Sequence, residues 1–142
     1  MQKSGVRIDY ASASRGGRFT YIAVPCITPL CMELNKDLVA ASATPLVLAI
    51  LAEGDSYGYA IIKRVTELSS GELQWTDGML YPVLHRLERQ RLVAAKWGLS
   101  EIGRKRRYYR ITKDGLAQLA LQRQQWLVVH DTLRGIWKAS TA

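Results

Sequence analysis

The chain has 142 residues, 48% apolar and 23% charged, the proportions of one folded domain rather than a disordered or fibrous chain. No apolar run reaches the ~18 residues that cross a bilayer, so the sequence argues against a transmembrane helix. Lys and Arg number 20 against 12 Asp and Glu, a net charge of +8, and such an excess favours a polyanionic partner: nucleic acid first, a membrane surface second.

The first 31 residues differ from the rest. They are rich in Ser, Gly and Arg and lack helical periodicity, and they carry Lys3, Arg7, Arg15 and Arg18 against Asp9. Two readings fit: a flexible basic arm, or a gene-model extension ahead of a true start at Met32, the second slightly favoured. The apolar patch after Arg18 is short and broken by Pro25 and Pro29, a poor signal peptide. Cys26 and Cys31 have no second pair and no nearby His, so a metal site is not expected. Two free thiols in a reduced cytoplasm is the favoured reading, a small disulfide loop the other.

From Met32 the apolar spacing becomes regular. Asn35 to Ala43 reads as helix, with Thr44-Pro45 restarting or kinking it, and Leu46 to Glu53 continuing almost without polar side chains. Gly54 is expected to close it in the left-handed conformation. Asp55-Ser56 opens a second helix, Tyr57 to Leu68, whose stripe is Ile61, Ile62, Val65 and Leu68; Ser69-Ser70-Gly71 ends it. Glu72 to Trp75 is short and extended. Thr76 caps a third helix, Asp77 to Gln90. At 100° per residue its Leu80, Val83, Leu84 and Leu87 point one way, and Gly78, Tyr81, Pro82, His85, Arg86 and Arg89 the other. One face belongs to a core; the opposite face is basic and aromatic.

A strand pattern follows over Leu92 to Trp97, then a Gly-flanked loop, then a second strand over Arg106 to Thr112: a β-hairpin carrying Arg104, Lys105, Arg106, Arg107 and Arg110. Thr112 or Asp114 opens the last helix, which runs to about Lys138. Its stripe of Leu116, Leu119, Trp126, Leu133 and Trp137 is longer than a small core can cover, so a second copy of the chain is the expected partner.

Helix, helix, helix, charged hairpin, long helix is the order of a winged helix-turn-helix. The fold class is therefore mainly α with a small β-hairpin (α+β). The expected division is residues 1–31 as arm or extension, 32–112 as the winged helix-turn-helix domain and 113–142 as the dimerisation helix. Here the chain resembles the PadR family of transcriptional regulators. The matching residues are Leu48-Ala49-Ile50-Leu51, Tyr57-Gly58-Tyr59-Ala60-Ile61, Met79 to Glu88 around Leu80-Tyr81-Pro82, Leu92-Val93, and Gly103 to Thr112 with its arginine run and two tyrosines. The resemblance spans about Glu33 to Trp137 and looks like the compact subgroup with one C-terminal helix. One departure stands out: the family usually has Gly just after the third helix, where this chain has Arg91, at roughly 1 kcal/mol if the position is left-handed.

The resemblance implies a cytoplasmic, homodimeric regulator, a repressor, on a palindromic operator in double-stranded DNA, with no cofactor. On that reading the recognition helix enters the ~12 Å major groove. His85 and Arg89 reach base edges, and Arg86 lies beside them. Thr76, Tyr81 and the helix N-terminal amides suit phosphates. Lys63 and Arg64 face the DNA backbone, and Arg104, Lys105, Arg106 and Arg107 suit phosphates or the adjacent minor groove. Leu119, Trp126, Val129, Leu133 and Trp137 form the dimer interface. Some family members bind aromatic effectors near that interface, and Trp126 would line such a pocket; the simpler reading is a dimer-core tryptophan. Rival classes fare worse. No Ser-His-Asp, HExxH, P-loop or CxxC pattern points to an enzyme, a protein-interaction module needs no basic hairpin beside a basic helix face, and RNA binding favours aromatics displayed on a sheet.

Overall fold

Hydrophobic periodicity alone places most elements, and the computed structural model, which describes residues 33–141, shows how they join. The readings of the arm and of Cys26 and Cys31 fall outside the described residues. The order is α1 (Lys36–Glu53), β1 (Ser56–Tyr57), α2 (Gly58–Leu68), α3 (Asp77–Arg89), β2 (Val93–Leu99), β3 (Lys105–Ile111) and α4 (Lys113–Ser140). The strands form one antiparallel sheet in the order β1-β3-β2.

Three expectations need correction. First, α1 runs unbroken through Pro45. Proline at a helix interior forfeits one hydrogen bond, at a cost of about 3 kcal/mol, but its fixed φ is helical. Burial of Ala43, Val47, Leu48, Ile50 and Leu51 on both sides holds the two halves in register. Second, Ser56 and Tyr57 do not begin a helix. They form a two-residue strand, with Ser56 opposite Tyr109 and Tyr57 opposite Tyr108, and α2 starts at Gly58. Third, Gly54 has a φ of 156°, outside the left-handed helical region, although still a conformation that favours glycine. Leu68, placed on the buried stripe of α2 by its spacing, is exposed because the chain turns away at Ser69.

The core collects Val47, Leu48 and Leu51 from α1, Ile61 and Val65 from α2, Leu80, Leu84 and Leu87 from α3, and Val93 and Tyr109 from the sheet. Burial of each contributes about 1.5–3 kcal/mol of apolar transfer. Trp75, in the extended segment before α3, is also buried and belongs to this core. So α3 is pinned by its inner stripe, as its spacing requires, while its opposite face is left outside.

Both helix ends beside the site close in the same way. At the end of α2, Gly71 N–H donates to Thr66 O and Ser70 N–H to Glu67 O; at the end of α3, Leu92 N–H donates to Leu87 O and Arg91 N–H to Glu88 O. These are Schellman motifs, with a left-handed residue just past each helix: Ser70 at φ 53° and Arg91 at φ 60°. The position of Arg91 therefore is left-handed, as the departure from the family pattern made it matter to know. The hairpin tip is tied by Ser100, whose hydroxyl accepts from Arg104 N–H at 3.1 Å while its backbone N–H donates to Arg104 O at 2.8 Å.

Where the wing returns to the body, α4 begins. Thr112 caps it by accepting from Gly115 N–H at 3.0 Å, and its own hydroxyl donates to Arg91 O at 2.7 Å. Gly115 is buried because the backbone passes it too closely for a side chain: a Cβ there would collide with Leu92 O and lie 2.7 Å from Ile111 Cγ1. The helix then extends 28 residues, ~42 Å at 1.5 Å per residue. Its first turns pack on the body through the half-buried Leu119, and from Leu127 onward every described residue is exposed. Among the described residues no helix is long and apolar enough to cross a membrane, and no cluster of His, Cys, Asp and Glu suits a metal ion.

Candidate nucleic-acid interface

The outer face of α3 is open. Met79, Tyr81, Pro82, His85, Arg86 and Arg89 are all exposed, opposite the fully buried Leu80, Leu84 and Leu87. Tyr81 divides its surface between two roles. Its ring end lies on Gly58, where a Cβ would come within 2.9 Å of Cζ, so Gly58 is the residue that lets α2 and α3 approach. The other side of the ring faces outward, 6.4 Å from the His85 ring. Thr76 sits at the helix N-cap with extended backbone, but its hydroxyl makes no capping bond. Asp77 already places an anion in the first turn, so the positive end of the helix dipole is partly neutralised there. The charge offered by this face comes from its far end, from Arg89.

The cations marked by the sequence fall into two groups. Lys63, Arg89, Arg104 and Lys105 are exposed and make no ion pair or side-chain hydrogen bond with any described residue. Five others are engaged. Arg64 donates to both carboxylate oxygens of Glu53, at 3.0 and 3.1 Å, and lies 3.6 Å from Glu67. The Glu53 carboxyl is held below its ordinary pKa chiefly by that hydrogen bond, and Arg64 is raised by the same contact. Arg86 donates to Thr44 Oγ1 at 2.6 Å, which ties α3 to α1. Arg106 lies 4.0 Å over the Tyr57 ring, which in turn meets Tyr108 edge-on. Arg107 donates to Glu88 Oε2 at 2.8 Å and lies 5.8 Å from the Trp97 ring. Arg110 is paired with Asp55, which raises its pKa.

Sequence reading marked cations and overlooked the groups that hold them: Asp55, Glu88, Tyr57 and Trp97. The available signal was an acid, Glu88, standing alone on the basic helix end, with Arg107 placed by strand alternation on the face that looks back at that helix. Beneath this pair, Tyr109 is buried, and burial pushes its hydroxyl above the ordinary phenol range. The expected interface residues on α4 divide by height: Leu119 and Trp126 are half-buried, whereas Val129, Leu133 and Trp137 are 49%, 40% and 60% exposed without any cover from the body of the chain.

A helical trio whose last member is pinned inward and bare outward, followed at once by a cationic hairpin, defines a winged helix-turn-helix protein. The comparisons say which. Residues 47–121 match the transcriptional regulator PadR-like family, and the chain belongs to that family. The transcriptional regulator YqjI of Escherichia coli is 29% identical over 89 residues, 63% of this chain but only 41% of YqjI, so the chain spans less than half of that relative's length. A transcriptional regulator from Clostridium thermocellum shares 27% identity with a TM-score of 0.65, covering 71% of this chain and 95% of that one. A PadR family transcriptional regulator from Eggerthella lenta is 34% identical with a TM-score of 0.60, over 70% and 85% of the two chains. The protein is thus a transcriptional regulator of the PadR-like family rather than an enzyme.

Proposed function

We propose that this regulator is a homodimeric, cytoplasmic repressor that binds an imperfectly palindromic site in double-stranded DNA. Each subunit reads one half-site, with half-site centres about one helical turn, ~10 bp, apart. Residues 32–112 supply the reading head and residues 113–142 the dimerisation helix. His85 and Arg89 enter the major groove, where an arginine pairing with guanine O6 and N7 discriminates by ~1–3 kcal/mol. Lys63, Thr76 and Tyr81 approach phosphates, and Arg104 and Lys105 take the backbone or the neighbouring minor groove. Arg64, Arg86, Arg106 and Arg107 have employers inside the fold, so they contribute by holding the reading surfaces rather than by direct contact.

The observation that carries this reading is the bare outer face of α3 ending in Arg89, beside the wing-tip cations Arg104 and Lys105, all three without a side-chain partner among the described residues. The second subunit is argued from α4, where Leu127, Val129, Leu133, Ile136 and Trp137 lie 40–62% exposed along a helix that outruns its own domain. A planar aromatic effector held beside Trp126 would act by favouring a dimer geometry that misplaces the two reading heads.

Selection of bound genomic fragments followed by gel-shift titration tests the reading. The wild-type protein should retain discrete fragments, and Arg89→Ala should weaken binding by roughly 5- to 150-fold, the equivalent of ~1–3 kcal/mol. Equal binding by the variant removes α3 from the reading role.

A further inference from the structure

Arg107 was expected to touch DNA, yet it is the wing cation that the fold binds most closely. We propose that Glu88 and Arg107 form a clamp that fixes the angle at which the wing leaves the recognition helix, and that Arg107 is a positioning residue rather than a DNA ligand. The proposal rests on the DNA-binding reading above and adds a part to it.

Four observations converge. The contact is a charge-assisted hydrogen bond of 2.8 Å between the last turn of α3 and the middle of β3, spanning 19 residues of sequence. Both side chains are about two-thirds covered, at 36% and 32% exposure, unlike Arg110 and Asp55 at 62% and 43%. Trp97, directly opposite Arg107 in the β2–β3 register, flanks the guanidinium. Arg107 Nε is buried without a well-formed hydrogen bond among the described residues, and Glu88 is the carboxylate that compensates this cation.

The connection that the clamp spans explains why one is needed. Between α3 and β2 the chain turns on a single left-handed residue, and here that residue is Arg91 where glycine would be unstrained. Loss of the clamp leaves the wing attached to α3 by this strained joint and by the base of the sheet, where Val93 and Tyr109 are each buried. The base fixes the root of the hairpin. The angle of the distal part, where Arg104 and Lys105 sit, is set halfway along by Arg107. Wing angle decides which flanking phosphates the tip cations meet, so it contributes to site choice without base contact.

A DNA ligand and a clamp give opposite results. A cation on a phosphate contributes about one unit to the slope of log K against log salt, whereas a positioning residue adds none of its own. The test uses full-length protein on a fragment selected by the wild type, with hydroxyl-radical footprints and salt titrations of Glu88→Gln, Arg107→Gln and the exchange Glu88→Arg with Arg107→Glu. The clamp predicts a 5- to 20-fold weaker complex for both single variants. Protection of the major-groove core should persist, protection of the flanking minor groove should fade, and the slope should fall equally in Glu88→Gln and Arg107→Gln, by what the displaced Arg104 and Lys105 contribute. The exchange restores the flanking protection at least in part. A slope lowered by about one in Arg107→Gln while Glu88→Gln keeps the wild-type slope, or tighter binding by Glu88→Gln, would overturn the clamp and make Arg107 a ligand. Unchanged flanking footprints in all variants would overturn it too. Failure of the wild type to select any fragment would instead remove the DNA reading itself. Should a single variant fail to fold by circular dichroism, the exchange, which retains both charges, carries the decision.

Discussion

The root and the tip of the wing are made of the same residue type and behave differently. At the root and middle of β3, Arg106, Arg107 and Arg110 each have a partner: an aromatic ring, a carboxylate, a carboxylate. One to six residues away, Arg104 and Lys105 have none among the described residues. Both sets raise the net charge equally. What separates them is distance from the body, since only the root lies within reach of α3, β1 and the Asp55 turn. A basic count therefore reports the existence of a polyanion-facing surface, while pairing reports which cations are spare.

The contrast can be broken at the root first, where the effect is largest. Gly115 lets the start of α4 pass against Leu92 and Ile111, the residues flanking the sheet's base. Gly115→Val should cost at least about 3 kcal/mol, because the obstructing atom is a backbone carbonyl that cannot step aside. Thermal unfolding reads this as a fall of roughly 10 °C or more; a shift under about 2 °C would mean the junction is looser than described. The distal half of α4 repeats the tip's condition in apolar form, with large side chains and no cover. Trp137→Ala should loosen the proposed dimer by about 2–4 kcal/mol, the scale of a buried aromatic anchor, measured by sedimentation across a concentration series. An unchanged association constant would place the interface elsewhere.

Tyr109 sharpens the picture of the root through pH. Burial raises its folded-state pKa above the ordinary value near 10. The neutral phenol is thus favoured in the fold, and its contribution is complete below pH 10. It is lost as pH rises from 10 toward the folded value, because the unfolded chain ionises first. Tyr109→Phe should flatten that alkaline loss. At neutral pH it should stay within about 1 kcal/mol of wild type, since the buried hydroxyl makes no well-formed hydrogen bond among the described residues and has only Arg107 as a polar neighbour. Urea titrations at pH 7 and 10.5 decide it. The smallest effect belongs to Arg91→Gly, which relieves a left-handed arginine and should stabilise by about 1 kcal/mol in the same titration.

The residues explain why some of this was legible beforehand and some was not. The stripe of Leu80, Val83, Leu84 and Leu87 repeats with the helical period, so the buried and bare faces of α3 follow from spacing alone. The alternation around Tyr109 likewise gave the inward face of β3. The two-residue strand β1 has no period to detect; it exists because β3 offers an edge to Ser56 and Tyr57. Pro45 misled because local chemistry favours a break, and tertiary burial overruled it. Trp75 joins the core from an extended segment with no pattern at all. On the surface, sequence shows charge but not which acid folds back on it: Glu53 lies 11 residues from Arg64, and Asp55 lies 55 from Arg110. Only the fold supplies those pairings, and with them the shorter roster of free cations.

The most direct measurement is the salt dependence of binding to a selected DNA fragment, with variants chosen from the two ends of the same hairpin. Arg104→Ala with Lys105→Ala should lower the slope of log K against log salt by about two per bound subunit, while Arg110→Ala leaves it at the wild-type value. Equal slopes for the two variants, or a larger loss for Arg110→Ala, would contradict the account.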